Sequence, residues 1–139
     1  MTSEPTTTTG ADAASVVMQI GEVATRTELS LRSLRHWEEV GLLRPSGRTE
    51  GGFRLYTEAD VEKILVIRRM KPLGFSLEQM SAAMRDLETV RDPAAIDRHA
   101  AARERLAGIL ADASERRHQL ARQLAMADEF IDQLNQQLS

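Results

Sequence analysis

Cysteine is absent from this chain of 139 residues. That excludes disulfides, thiolate metal sites, iron–sulfur ligation and cysteine-based redox sensing together, and it is compatible with a reducing cytoplasm. Proline is scarce too: after Pro93 there is none, and beyond that point Gly108 is the single glycine. No apolar run approaches the length needed to span a bilayer. The opening MTSEPTTTTG lacks both the basic start and the apolar centre of a secretion signal. A formal net charge of −3 argues against a blanket nucleic-acid coat. It leaves specific DNA binding open, because placement of charge matters more than its sum. The chemistry of catalysis is missing as well. There is no phosphate-cradling loop, no nucleophile–base signature and no pair of carboxylates in a plausible cleft, and Glu38-Glu39 diverge onto different helix faces. The sequence implies no catalysis, no cofactor and no metal. Its histidines, His36, His99 and His118, are scattered.

What is present centres on Ser30 to Leu43, SLRSLRHWEEVGLL. Ser30 suits an N-cap, since its hydroxyl can accept from an orphan amide of the first turn. Leu31, Leu34, Trp37 and Glu38 share one helical face; Arg32, Arg35, His36 and Glu39 fall toward the other. Gly41 can take the left-handed state that ends a helix, returning Leu42-Leu43 to a core. Cations and Ser33 near the start of a helix are where a recognition helix reaches base edges in the major groove.

In chain order, residues 1–16 read as a disordered leader, too polar and small to offset ordering entropy. Ile20 to Thr25 forms a short helix with Ile20, Val23 and Ala24 inward. A turn over Arg26 to Leu29 then leads to Ser30, which makes a helix-turn-helix. Such a pair can equally be a purely structural element of a small helical domain. Arg44-Pro45 ends the second helix, and Ser46 to Gly52 is a glycine-rich connection. Phe53 to Tyr56 alternates like a strand. Pairing Leu43-Arg44 with Arg54-Leu55 gives a small wing bearing Arg44, Arg48 and Arg54, suited to phosphate contact. The plainer alternative is a solvated loop in which Arg54 pairs with a nearby acid. Thr57 with Asp60, and Ser76 with Gln79, cap two further helices. The first carries an apolar stripe of Val61, Ile64, Leu65, Ile67 and Met70 beside the basic Lys63, Arg68, Arg69 and Lys71. Met80 and Met84 on the next helix read as core filler.

From Pro93 onward the chain reads as one long helix. Leu106, Leu110, Ala113, Arg117, Leu120, Leu124, Ala127, Ile131, Leu134 and Leu138 follow alternating steps of four and three, a coiled-coil seam. Extended backward, the seam meets Arg103, His99 and Ile96 and weakens. From Ile96 to Leu138 the helix spans roughly 60 Å. An apolar stripe of that length needs a partner, and a second copy is the natural one. His99 and Arg117 mark the register or the end of the coil. Charge follows this division: residues 18–76 carry ten Lys/Arg against eight Asp/Glu, residues 92–139 six against eight.

IGEVA, LSLRSLRHWEEVGLLRP, GGFRLYTEADVEKI and LGFSLEQM, in that order and spacing, resemble the DNA-binding domain of the MerR family, the mercury-resistance-type transcriptional regulators. The likeness runs from Ile20 to about Met84, and the long helix corresponds to the family's dimerisation helix. The resemblance implies a mostly α fold: a winged helix-turn-helix DNA-binding domain (17–90) after the leader (1–16). A dimerisation helix (93–139) follows, forming an antiparallel coiled coil, with no separate effector domain. It also implies a homodimeric, sequence-specific regulator that distorts a palindromic promoter site and so alters access by RNA polymerase. The location would be cytoplasmic, with the nucleoid and without a membrane partner. Ser30, Arg32, Ser33, Arg35, His36 and Trp37 would then lie at the groove. Arg44, Arg48, Arg54 and Tyr56 would touch flanking backbone from the wing, and Arg68, Arg69 and Lys71 would meet phosphates from a second wing. The seam residues from Leu106 to Leu138, apart from Arg117, would form the dimer interface. One departure is Glu28, where the family usually has glycine. A left-handed glutamate costs about 1 kcal/mol, so a slightly altered turn is expected. An architectural or adaptor protein, its coil docked on a heterologous helix, is the alternative reading.

Overall fold

The computed structural model describes residues 17–139; the leader over 1–16 lies outside them. The chain divides into two compact units, the first ending at Met80 and the second running from Ser81 to Ser139.

In the first unit, β1 (Val17–Met18) leads into α1 (Ile20–Thr27) and α2 (Leu31–Glu39). Next come β2 (Gly47–Arg48), β3 (Arg54–Thr57) and α3 (Glu58–Met70), then a 3₁₀ turn over Lys71–Leu73. The three strands form one antiparallel sheet in the order β1-β3-β2. Val23 and Thr27 of α1, Leu34 and Trp37 of α2, Tyr56 of β3, and Val61, Ile64, Ile67 and Met70 of α3 are buried together with Met18, Leu43, Phe75 and Met80. Apolar residues at helical spacing thus fuse into one small core. Asp60 is buried as well, and its carboxylate closes the reciprocal cap with Thr57. The same oxygen accepts the Ser46 hydroxyl at 2.5 Å, tying the base of the hairpin to the start of α3.

The strand pairing corrects one expectation. Leu43-Arg44 does not pair with Arg54-Leu55; Gly47 stands opposite Leu55 and Arg48 opposite Arg54. The reason lies in how α2 ends. The Leu42 and Leu43 amides both donate to the Trp37 carbonyl, Gly41 sits at φ 83°, and Leu43 is drawn into the core. Pro45 then has no amide to offer a ladder, so pairing begins past it, with the Ser46 amide on the Leu55 carbonyl. The third strand, β1, is a feature the sequence reading did not contain.

The helix-helix turn differs too. Rather than an altered turn, Glu28 adopts φ 59°, ψ 34°, and among the described residues it is the one non-glycine with positive φ. Its amide and that of Leu29 both reach the Ala24 carbonyl. The left-handed geometry is kept and the strain is accepted. In consequence α1 runs to Thr27, two residues past Thr25.

α4 (Leu77–Arg91) opens with the expected capping box, Ser76 amide to Gln79 at 2.8 Å and Gln79 amide to the Ser76 hydroxyl at 3.1 Å. In the second unit a 3₁₀ segment over Pro93–Arg98 precedes α5 (His99–Leu138). The long helix therefore starts at His99 rather than at Pro93. Asp92 caps the Ala94 amide, Ala95 is non-helical at φ −103°, ψ 29°, and the His99 ring contacts the Asp92 carbonyl at 2.8 Å. Arg105 of α5 grips the buried Asp86 of α4 through Nε and Nη2, and this carboxylate raises the guanidinium's pKa.

Candidate nucleic-acid interface

α2 is placed by its ends and by one buried edge. Ser30 accepts the Ser33 amide at 3.0 Å and donates to the Ser33 hydroxyl at 3.0 Å, so its own hydroxyl is occupied in capping. Leu34 and Trp37, three residues apart, point into the core and fix the helix's rotation. The opposite edge then opens onto a solvent-facing groove. Arg32, Ser33, Arg35, His36, Trp37, Glu38 and Glu39 line it, with Arg54 from β3 and Lys71 from the turn after α3.

The structure thus gathers Arg32, Ser33, Arg35, His36, Arg54 and Lys71 at one place. Ser30, Arg44, Arg48, Arg68 and Arg69 stand outside that lining. Two expectations change. Trp37 lines the groove but is only 3% exposed, so it belongs to the core and is not a reaching contact. Tyr56 is fully buried, and its hydroxyl has no hydrogen-bond partner among the described residues. It cannot touch a phosphate from there. The alternation FRLY has a simple two-residue period, which turns Tyr56 inward from its strand neighbour Leu55. Burial raises the phenol's pKa above its ordinary value.

Two of the wing arginines, Arg48 and Arg54, are not solitary cations. Glu38, with its side chain 15% exposed, accepts Nε of Arg54 on Oε1 and Nη2 of Arg48 on Oε2 at 3.0 Å. Arg48 also donates from Nη1 to the Gly52 carbonyl at 3.1 Å. The pairing of Arg54 with an acid is therefore real, and Glu38 is the residue that sequence reasoning placed on the core-facing side without a role. Arg68 lies 3.4 Å from Glu28, an exposed pair of little energetic weight. Arg26 makes a two-pronged contact with Glu58 at 2.5 and 2.8 Å, which lowers the pKa of the glutamate and raises that of the arginine. Among the described residues no group of His, Asp and Glu is arranged to hold a metal. No helix among them is long and apolar enough to cross a membrane.

Two helices joined by a left-handed turn, the second capped by Ser30, a short hairpin beside it and a cation-lined groove along it define a winged helix-turn-helix module. A sequence model described as MerR HTH family regulatory protein matches residues 18–87, about half the chain. The chain belongs to the MerR family of helix-turn-helix regulatory proteins. The nodulation protein NolA of Bradyrhizobium elkanii is 40% identical over 74 residues, 53% of this chain and 34% of NolA. The transcriptional regulator ZntR of Escherichia coli K12 is 42% identical over 76 residues, 54% of this chain and 51% of ZntR. The chain spans about half the length, or less, of these curated relatives. Among solved structures, HiNmlR, a MerR family regulator lacking the sensor domain and bound to promoter DNA, is similar in fold. Its TM-score is 0.60 at 22% identity, over 84% of this chain and 79% of that one. A MerR family regulator from Bacillus thuringiensis gives a TM-score of 0.66 at 16% identity, over 84% and 98%.

Proposed function

We propose that this chain binds double-stranded promoter DNA as a sequence-specific transcriptional regulator. It acts as a homodimer on a palindromic site, distorts the DNA, and so changes access by RNA polymerase. The observation that carries the reading is the groove, in which Arg32, Ser33, Arg35 and His36 from one helix edge share a surface with Arg54 and Lys71. Side chains of the helix edge suit base contact, whereas hairpin and turn cations suit the phosphates that fix register. Arg44, Arg68 and Arg69, exposed but outside the groove's lining, are further candidates for phosphate contact. Bending a site between two promoter elements has an elastic cost of a few kcal/mol, roughly. Two heads on one rod are an economical way to impose such a bend.

The dimer reading rests on α5. Leu110, Leu120, Leu124, Ile131, Leu134 and Leu138 are 43–84% exposed on a single chain, a stripe that water disfavours. A second copy, antiparallel, covers it. The chain offers no thiolate for a mercuric ion, so the mercury-resistance likeness reaches the architecture and not the signal. One observation favours an adaptor role: Met126 and Phe130, 60% and 58% exposed, lie beside the seam rather than on it. Sedimentation of the pure protein separates the two, since a monomer that pairs only with another helical protein is the adaptor.

Fluorescence-anisotropy titration of a labelled duplex from the promoter of its own gene tests the central claim. Binding no tighter than to a scrambled duplex overturns it. Arg32→Ala is expected to reduce discrimination between the two duplexes by about 1–3 kcal/mol. Arg54→Ala is expected to weaken both alike and to lower the salt slope by about 1.

A further inference from the structure

Arg48 and Arg54 are direct cross-strand partners in the wing hairpin. Like charges in that relation repel and splay a two-stranded pair. Here one carboxylate stands between them, and both of its oxygens are used: Oε1 on Arg54, Oε2 on Arg48. Glu38 belongs to α2, so this contact also fastens the hairpin to the helix that lines the groove. Arg54 spends only its Nε on Glu38, and its two terminal nitrogens have no partner among the described residues. Arg48, by contrast, is held through both terminal nitrogens, by Glu38 and the Gly52 carbonyl. The next residue, Glu39, lines the same groove but holds neither arginine: its side chain is 80% exposed, and among the described residues its ion pair is with His36 at 3.8 Å.

We infer that Glu38 is a positioning residue for DNA binding, which offsets the repulsion between Arg48 and Arg54 and aims the free end of Arg54 into the groove. The inference rests on the DNA-binding reading above. It has an unusual consequence for electrostatics. Removing a negative charge from a DNA-binding surface ordinarily tightens binding, because the polyanion is repelled less. At Glu38 the sign is reversed, because the lost carboxylate also releases the arginine that meets the phosphate.

The experiment compares two isosteric changes one residue apart, Glu38→Gln and Glu39→Gln, in the full chain. The readouts are anisotropy titrations at several salt concentrations on the promoter duplex and its scrambled counterpart, with thermal melts alongside. E38Q is expected to weaken binding to both duplexes on the order of five-fold and to lower the salt slope; E39Q is expected to tighten both about two-fold. E38D, which keeps the anion at shorter reach, falls between wild type and E38Q. A merely structural role for Glu38 lowers the melting temperature and leaves the salt slope of the folded protein unchanged, and that result overturns the inference. So does E38Q binding as tightly as E39Q. Should E38Q fail to fold at the assay temperature, E38D against E39Q decides by the same opposition of sign. Wild-type protein that does not prefer its promoter duplex overturns the regulator reading instead, whatever the variants do.

Discussion

Two stretches of this chain face the same problem, apolar surface in water, and meet it in opposite ways. Between Met18 and Met80, apolar residues from α1, α2, α3, the start of α4 and a small sheet close on one another, and Val23, Leu34, Tyr56, Ile64 and Ile67 reach complete burial. Along α5 beyond Gln119, every side chain is exposed on the single chain, Leu120, Leu124, Ile131, Leu134 and Leu138 among them. The first stretch is finished within one molecule, and its stability is a property of the chain alone. The second leaves its apolar stripe open on the single chain, and under the dimer proposed above its stability would depend on protein concentration.

The largest effect that can break this contrast lies in the coil. Leu124→Asp with Ile131→Asp places two charges on the seam. It is expected to abolish dimerisation at micromolar concentration, as read by sedimentation velocity. An unchanged dimer would remove α5 as the interface. The same variant leaves the winged unit's fold intact, which circular dichroism checks through the retained melt of the first unit.

The counterpart in the finished core is Trp37→Ala. Truncating a buried tryptophan removes its transfer energy and leaves a cavity, together costing about 3–5 kcal/mol. The loss should be the same at low and high protein concentration. A concentration-dependent loss would mean that the two stretches stabilise one another rather than standing apart.

How legible each stretch was in the sequence follows from the same contrast. Periodicities and caps are local, so the caps at Ser30, Thr57 and Ser76, the left-handed Gly41 and the seam in α5 could be read directly from residue order. Strand register was not legible, because it depends on where α2 releases the chain and on Pro45 lacking an amide. The short β1 carries no periodic signal at two residues long. The site divided along the same line. That Arg32, Ser33, Arg35 and His36 share one helix edge followed from their spacing, and the fold brings Arg54 and Lys71 beside them. Glu38 was visible as a position but not as a hub, since both of its partners lie across a turn of unknown register. Tyr56 was misplaced toward the surface because an aromatic residue beside arginines looks alike in sequence whether it faces water or core, whereas Trp37 does line the groove but is almost wholly buried.

A smaller effect probes the turn that both helices of the motif share. Glu28 holds φ 59° without glycine's freedom, and its contact with Arg68 is long and exposed. Glu28→Gly relieves the steric cost of a left-handed L-residue, about 1 kcal/mol, while giving the unfolded chain more freedom to lose. The expected outcome is a gain of about 0.5 kcal/mol, seen as a higher denaturant midpoint at unchanged slope. A loss of more than about 1 kcal/mol would place the weight on the Arg68 contact rather than on the backbone.

A last, near-neutral effect concerns a side-chain polar atom that the core leaves unmatched among the described residues. The Tyr56 hydroxyl is buried with no partner among the described residues. An unpaired buried hydroxyl costs about 1–3 kcal/mol of desolvation, so Tyr56→Phe is expected to be neutral or to stabilise by up to about 1 kcal/mol. Alkaline behaviour supplies the sharper reading. The folded phenol's pKa lies above its unfolded value because burial disfavours the phenolate. The native state therefore holds its proton longer than the unfolded chain does. Stability from this group is fully present below the unfolded value and is lost as pH rises through the folded one. Tyr56→Phe removes that alkaline decline while leaving the acid side as it was. Its DNA affinity should equal that of wild type, because a buried hydroxyl touches no phosphate. Weaker DNA binding by a variant of equal stability would return Tyr56 to the interface, and would mean that the strand carrying it turns over when DNA is bound.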